Sequence, residues 1–190
     1  MDFQEVVRQR HMVRTFTSTS VPRASLDRIL ANAVRGPSAG FSQGQSFLVL
    51  TGSELAEFWA VAGEAVDPSA RTAPVVIVPM SCKRVYLDRY AQPDKGWTDR
   101  DEARWPVPFW HIDTAMAALL ILQTAVDEGL GAVYFGIVPE AVAPFRAAFG
   151  VPDDQEPIGA IAIGYDAEPK ARDLRSRRRP LDQIVHHGHW

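Results

Sequence analysis

The sequence predicts an α+β protein of one domain, with about four strands among roughly five or six helices. Two kinds of segment alternate along the chain. In the first, apolar residues recur three or four positions apart, which is typical of helices; in the second, short apolar runs lie between Pro, Gly, Ser or Thr residues, which is typical of buried strands. The 190 residues are 46% hydrophobic and 23% charged, the composition of a single globular domain over residues 1–190.

Helical spacing identifies the helices. In the second of them Leu26, Ile29 and Leu30 share one face, and Gly36 and Pro37 end the helix. The fourth is apolar almost all round, so we expect it at the centre of the fold or in a subunit interface. The predicted helices cover residues 2–11, 22–35, 54–64, 111–128 and 139–149.

Short apolar runs flanked by helix breakers predict the strands. The run PVVIVP at 74–79 is apolar at every position, which suits a buried strand. The predicted strands cover residues 46–51, 74–79, 132–135 and 157–164.

Residues 83–110 differ from the rest of the chain. This stretch holds prolines, many charged residues and a concentration of Tyr and Trp side chains, so it is too irregular for one element. We interpret it as an excursion, helical at its start, that forms a lid over part of the protein. An alternative is that its aromatic residues only pack the excursion onto the body of the protein.

Composition excludes several classes of function. The net charge of −3 gives no general reason to expect a nucleic-acid partner. The single cysteine, Cys82, excludes an intrachain disulfide framework and a multi-Cys zinc site, and fits a reducing compartment. The longest apolar run, at 115–122, is too short to cross a bilayer, and the N-terminus lacks a signal-peptide pattern. We therefore expect a cytoplasmic protein with no membrane partner.

Three segments could bind a ligand. The cations Arg8, Arg10, His11 and Arg14 gather at the end of the first helix and could hold a phosphate or an electron-rich ring, although a solvated helix end is the alternative. The loop at 36–45 is rich in small and polar residues that let a backbone approach an anion, with a plain connection as the alternative.

The third segment is basic and lies near the C-terminus. It runs from 172 to 179, and its alternative is a solvated tail. The arginines concerned are Arg175, Arg177, Arg178 and Arg179. No metal site is expected from His186, His187 and His189, because no second ligand set accompanies them.

Four motifs, in this order, resemble the FMN-dependent nitroreductase family. RQRHMVRTF at 8–16 is similar to its N-terminal R-R/H-S-x-R/K-x-F signature, and the segment at 21–47 is similar to its helix leading into P-S-x-x-N-x-Q-P-W-x-F. The segment at 110–136 resembles its central helix and G-L-G turn, and RRRPLDQIVHHGHW at 177–190 resembles its basic-Pro-Leu ending. The resemblance implies a central, mostly antiparallel sheet flanked by helices, and an intertwined homodimer with a flavin between the subunits.

The resemblance also implies cofactor contacts. Arg10 and Arg178, with Arg177 in support, would contact the FMN phosphate; His11 and Met12 would lie near the ribityl chain, and Arg14 at the pyrimidine edge. Phe135 and Gly136 would offer a backbone N–H near flavin N5. The loop would line the flavin from the partner subunit through Pro37, Ser38, Ala39 and Gln43. Met12 stands where the family has a small hydroxyl residue, and Phe41 where it has Asn, so another flavin or a deazaflavin stays open.

The resemblance implies hydride transfer from NAD(P)H through FMN to a nitroaromatic, quinone or related acceptor by a ping-pong mechanism. Aromatic side chains would form the wall on which flat substrates stack. The candidate substrate-binding residues are Phe41, Tyr90, Trp105 and Trp110. Two alternatives stay open: a specialised flavin-consuming or dehydrogenase member of the same fold, and a flavin-binding protein that stores cofactor without turnover.

Overall fold

An antiparallel sheet forms the centre of the fold. The computed structural model describes residues 1–64, 66–169 and 174–190. Its strands are β1 (Gln45–Thr51), β2 (Val75–Ser81), β3 (Gly131–Phe135), β4 (Glu156–Pro157) and β5 (Ala160–Gly164). Their order is β1-β2-β5-β3, with the short β4 paired to β2, and all these pairings are antiparallel. The predicted fold class is confirmed.

Helices flank the sheet at the positions that the sequence predicts. They are α1 (Phe3–Gln9), α2 (Arg23–Ala33), α3 (Glu54–Ala62), α4 (Lys83–Tyr90), α5 (Phe109–Asp127) and α6 (Pro139–Phe149). α4 is the predicted helical start of the lid. Short 3₁₀ turns lie at Ala39–Phe41, Pro68–Thr72, Glu102–Arg104, Arg175–Arg177 and Leu181–Gln183.

One predicted strand, 157–164, is divided in two. Pro157 ends β4, and β5 begins only at Ala160. Between them Gly159 has a φ of 145°, and a Cβ there would lie 2.5 Å from the hydroxyl of Tyr134. The close approach of the Tyr134 ring therefore requires glycine and interrupts the strand.

The sheet is buried on both faces because its side chains alternate. Val75 and Ile77 of β2 join a core formed with α2 and α5, whereas Val76 and Val78 join the opposite core with α3 and α6. Each face of β2 is thus covered by two helices, which explains why its sequence is apolar from Val75 to Met80.

α5 is the central helix. It has 19 residues and a mean hydropathy of 1.3, so by length and composition it could cross a membrane. Half of its most apolar window (50%) is buried inside this fold, and Asp113, Thr114 and Thr124 are buried with it. Its packing against α2 and the sheet is that of a core helix.

An extended segment that the sequence patterns do not reveal follows α1. Met12 forms a parallel bridge to Ala132, and the N–H of Val13 donates to the carbonyl of Ala132 at 3.0 Å. The Val13 side chain covers Gly131 so closely that a Cβ on this glycine would lie 2.7 Å from it. This contact fixes the chain immediately before Arg14.

Gly131→Ala tests that contact. Because buried Val13 has no room for the added methyl group, the free energy of unfolding should fall by about 1–3 kcal/mol, measured from the urea midpoint. Gly36→Ala is the matched control, because the nearest atom to a Cβ there is 3.6 Å away. Equal midpoints for the two variants would contradict the proposed close packing.

Candidate functional site

The first group of predicted cofactor residues lies between α1 and β3. The N–H of half-buried Arg10 caps α1 by donating to its last turn. His11 Nδ1 lies 2.8 Å from the carbonyl of Gln9, and Nε2 lies 3.6 Å from a carboxylate oxygen of Asp166. Nε2 is inaccessible to solvent and has no hydrogen-bond partner in the described residues. This nitrogen is therefore a buried polar atom that still lacks a hydrogen-bond partner.

Backbone bonds hold Arg14 on both sides. Its N–H donates to the Glu168 carboxylate at 2.5 Å, and its carbonyl accepts the Ser69 hydroxyl at 2.8 Å. The guanidinium donates to the carbonyl of Met12 at 3.2 Å. The Met12 side chain is half-buried against both cores, so it packs where the resemblance expects a hydroxyl. Hydrogen bonds thus fix the backbone that carries the Arg14 side chain.

The second group is a loop that begins at exposed Pro37 and ends at Gln43. We call residues 37–43 the cofactor loop. The N–H of Ala39 donates to Asp113 Oδ2 at 2.8 Å, and the N–H of Gln43 donates to Ser38 Oγ at 2.8 Å. Phe41 and Gln43 have φ values of 55° and 56°, a left-handed conformation that non-glycine residues rarely adopt. Such strain costs on the order of 1–3 kcal/mol per residue and is concentrated at functional sites.

The lid helix α4 holds the cofactor loop from the other side. The hydroxyl of buried Tyr86 donates to Asp113 Oδ2 at 2.8 Å and lies 3.5 Å from Ser38 Oγ. Burial raises the pKa of Tyr86 to about 12, so its phenol stays protonated and can donate. Arg89 Nε donates to the carbonyl of Gly40 at 2.9 Å.

The third group lies at the far end of β3. The Phe135 side chain is buried in the core, where its ring stacks on Trp59 at 5.9 Å, so only its backbone is available to a ligand. Gly136 is exposed, and a Cβ there would meet no atom within 4 Å. The open backbone edge at these two residues is suited to contact with a flat ligand.

The basic tail extends as exposed chain. Arg177 and Arg178 are exposed, and the hydrogen bonds of the described tail stay within it, as in that from Arg179 to the carbonyl of Gln183 at 2.9 Å. Arg172 lies outside the described residues, as does the side chain of Arg175. Nothing in the described tail brings these arginines to the other groups of the same chain.

The aromatic residues of the lid differ sharply in exposure. Trp105 and Trp110 are 9% and 4% exposed, and they pack on Tyr86 in a cluster of their own. The ring of half-buried Tyr90 lies 4.4 Å from Trp105. Phe41 is 76% exposed. Burial favours the packing alternative for Trp105 and Trp110, whereas Phe41 can meet a substrate.

The two main groups lie at opposite ends of α5. The cofactor loop is anchored to Asp113 near the start of α5, and residues 12–14 lie beside the beginning of β3, just beyond its end. A helix of 19 residues is about 28 Å long. One chain therefore does not bring its cofactor loop and its Arg14 together. Gly136 lies four residues along β3 from Ala132, the partner of Met12, which is about 13 Å of strand.

The residues present fit a flavin phosphate. Arg10 and Arg14 supply cations for a phosphate and for an electron-rich ring edge, and the backbone at Gly136 leaves open space beside it. No group of three or more His, Cys, Asp or Glu side chains that could hold a metal ion occurs in the described ranges, the histidines of the tail included. The donor set is that of an anion and ring site.

Sequence reasoning missed the residues that hold the site. No motif or spacing singles out Asp113, and Tyr86 is only one of several aromatic residues in the lid sequence. A carboxylate in an otherwise apolar helix was the available signal, because such a group needs donors when it is buried. Nothing in the sequence around Glu168 indicates its hydrogen bond to the backbone of Arg14.

Comparison with known proteins identifies relatives of this chain. The model of the nitroreductase family matches residues 7–165. A Methanothermobacter thermautotrophicus protein named "Putative NADH dehydrogenase/NAD(P)H nitroreductase" is 30% identical over 177 residues, which are 92% of this chain and 83% of that protein. An Archaeoglobus fulgidus protein of the same name is 25% identical over 87% of this chain and 86% of its own.

Solved structures share the fold. One, from Exiguobacterium sibiricum, is described as a "putative nitroreductase in complex with FMN"; it has a TM-score of 0.78 at 19% identity and covers 98% of this chain and 97% of its own. An FMN-dependent nitroreductase from Clostridium difficile has a TM-score of 0.74 at 22% identity, covering 97% of this chain and 98% of its own.

Tyrosine ionisation tests the burial of Tyr86. Its raised pKa means that the native state favours the neutral phenol, so its contribution to stability is present below about pH 10 and is lost as the pH rises toward 12. At about pH 11 the native protein and Tyr86→Phe should therefore show nearly equal tyrosinate absorbance. In denaturant the variant should show less. Lower absorbance of the native variant at this pH would mean that Tyr86 is open to solvent.

Proposed function

The chain belongs to the nitroreductase family, and from that premise we propose that it is an FMN-dependent oxidoreductase that works as a homodimer. NAD(P)H is the proposed reductant, and the acceptor is a nitroaromatic, a quinone or a related compound. The names of its relatives, which include nitroreductase and NAD(P)H, support this assignment. A cytoplasmic location agrees with its single cysteine.

The observation that carries the proposal is the separation of the two groups along α5. A ligand that contacts both the cofactor loop and Arg14 needs a second chain, because about 21 Å of helix, from Asp113 to the end of α5 at Asp127, lies between them within one chain. In a two-fold dimer, one surface patch meets the same patch on the partner, so opposite ends of α5 can be brought together. Two identical sites result.

Exposed apolar side chains support an interface on this side of the molecule. Phe3 and Val7 of α1, Val34 after α2, and Met116 and Leu119 of α5 are all exposed. α1 and α2 both pack on α5, so these side chains belong to one helical layer. Several exposed apolar side chains on one helical layer favour an interaction site there. The exposed tail, with Leu181 and Trp190, would wrap the partner subunit.

The proposed cofactor contacts draw on both subunits. Arg10 and Arg178, supported by Arg177, hold the phosphate, and His11 lies at the ribityl chain. Charge-assisted and bidentate bonds from guanidinium groups suit a phosphate. The loop residues Ser38, Ala39 and Gln43 of the partner subunit line the ring.

FMN, when bound, would supply the hydride-transfer chemistry between NAD(P)H and the acceptor, in ping-pong order. Arg14 stabilises the negative charge that reduction places near N1 and O2, since a fixed cation acts strongly in a partly buried site. A backbone N–H at Phe135 or Gly136 orients N5. Phe41 offers an exposed ring against which a flat acceptor can stack.

The absorption spectrum of the purified protein tests the proposal first. A yellow protein that both binds FMN and is bleached by NADH or NADPH without oxygen is expected, with steady turnover on adding menadione or a nitrofuran. Loss of flavin colour under oxygen, with a benzimidazole product, would instead support a flavin-consuming member of the fold. A yellow protein that neither nicotinamide bleaches would support cofactor storage.

Two arginine variants separate the proposed roles. Arg178→Ala should weaken FMN affinity by about 10-fold to 150-fold, because a charge-assisted hydrogen bond to the phosphate, of about 1.5–3 kcal/mol, is lost. The reduction potential of the flavin should change little. Arg14→Ala should lower the two-electron potential by on the order of 30 mV or more, because the reduced ring loses its cation. Equilibrium dialysis and anaerobic potentiometry measure the two effects. Equal effects of both variants on both quantities would contradict these roles.

Leu119→Glu tests the proposed interface. A carboxylate at this apolar position should convert the dimer to monomers and release FMN, as measured by sedimentation and flavin fluorescence. Val107→Glu is the control, because Val107 is 43% exposed and Leu119 is 46% exposed, yet Val107 lies in the lid. A dimeric, FMN-loaded Leu119→Glu protein would place the interface elsewhere.

A further inference from the structure

Asp113 is a buried carboxylate whose two recorded bonds go to two different segments of the chain. It is 5% exposed and lies in the second turn of α5. One oxygen, Oδ2, accepts both the N–H of Ala39 and the hydroxyl of Tyr86, each at 2.8 Å. A buried carboxylate is costly unless donors satisfy it, and here those donors are the cofactor loop and the lid helix.

The hydrogen bonds continue from Asp113 through the cofactor loop. Tyr86 lies 3.5 Å from Ser38 Oγ, which accepts the N–H of Gln43 at 2.8 Å. Gln43 and Phe41 are the two loop residues other than glycine in the left-handed conformation. A strained backbone persists only where its surroundings hold it, and the bonds at Ala39 and Gln43 bracket the strained residues.

The Tyr86 ring also fits closely against the end of the loop. A Cβ on Gly44 would lie 2.5 Å from the Tyr86 ring and 2.9 Å from the carbonyl of Cys82. On its other side Tyr86 makes edge contacts with Trp105 at 6.1 Å and Trp110 at 6.4 Å between ring centroids. Because Tyr86 contacts both the lid tryptophans and the end of the loop, a displacement of the lid would also displace the loop.

Asp113 does not need to exchange a proton for this role. Because burial raises the pKa of Tyr86 and keeps its phenol protonated well above neutral pH, the phenol remains a donor to Asp113. The described structure gives Asp113 no contact with Arg14 or with Gly136, so it acts on the cofactor site only through the loop and Tyr86.

We propose that Asp113 is a positioning residue that holds the cofactor loop in its strained conformation and, through Tyr86, couples that loop to the lid. The role at the flavin rests on the proposed function. The conformational role does not, because it concerns bonds within one chain. Phe41 projects from the same loop, so Asp113 also sets where this ring stands relative to an acceptor.

Amide hydrogen exchange in the full-length protein tests the conformational role without requiring FMN. Asp113→Ala should accelerate exchange at the amides of Ala39 and Gln43 by at least about 10-fold. The Ala39 amide loses its acceptor, and the Gln43 amide lies in a loop that is no longer held by Asp113. Asp113→Asn should stay within about threefold of the native protein, because a single carbonyl oxygen can accept both bonds as Oδ2 does. Tyr86→Phe keeps the ring packing and should give an intermediate rate.

Thr114→Val is the matched control. Thr114 is buried beside Asp113, and within the described residues its hydroxyl bonds only the preceding turn of α5, at 2.7 Å to the carbonyl of Trp110. It should leave exchange in the cofactor loop unchanged. Equal acceleration by Thr114→Val and Asp113→Ala would overturn the proposal, as would an Asp113→Asn protein that exchanges as fast as Asp113→Ala. If Asp113→Ala does not fold, Asp113→Asn and Tyr86→Phe still decide the question.

Flavin measurements then test the role at the site. In the FMN-loaded dimer, Asp113→Ala should raise the FMN dissociation constant by about 10-fold and raise the KM for a bulky quinone more than it lowers kcat. It should also alter the visible flavin spectrum, and Asp113→Asn should restore all three. Unchanged flavin affinity and spectrum with accelerated loop exchange would overturn the role at the site. A native protein that binds no FMN would defeat the proposed function while leaving the exchange result intact.

Discussion

The length of α5 is the constraint on which the rest of the site depends. This helix of 19 residues lies on the sheet with α2, and both of its ends lead to groups that could bind a ligand. Asp113 near its start anchors the cofactor loop, and Gly131, four residues after its end, receives Val13 and so fixes the approach to Arg14. Because a packed helix cannot shorten, the two groups stay apart within a chain.

Much of the fold could be predicted from sequence because its elements depend on local periodicity. The alternation along β2 and the helical faces of α2 and α5 follow from residues close in the chain. The bond between Ala39 and Asp113 joins residues 74 positions apart, and that between Arg14 and Glu168 joins residues 154 apart. Such pairs leave no periodic signal. The pairing of residues 12–13 with β3 escaped prediction for the same reason.

The site could be predicted only as far as residue types carry chemistry. Arginines near a helix end and a loop of small residues indicate anion binding. The presence of aromatic residues in a sequence does not show whether they line a binding site or pack in a core. Trp105 and Trp110 are aromatic like Phe41, yet they are buried whereas Phe41 is 76% exposed. The difference arises from packing, since Tyr86 covers the two tryptophans while the strained loop turns Phe41 outward.

The electrostatics of the first group preserve its positive charge. Glu168 and Asp166 lie close to Arg14 and His11, and carboxylates there would neutralise the cations if they paired with the guanidinium. Glu168 instead accepts the backbone N–H of Arg14, and the guanidinium bonds a neutral carbonyl, that of Met12. The carboxylate thus orders the chain without forming a bidentate pair with the side chain. An arginine held in this way keeps donors for an anionic partner, which is the property that a site for a reducible ring requires.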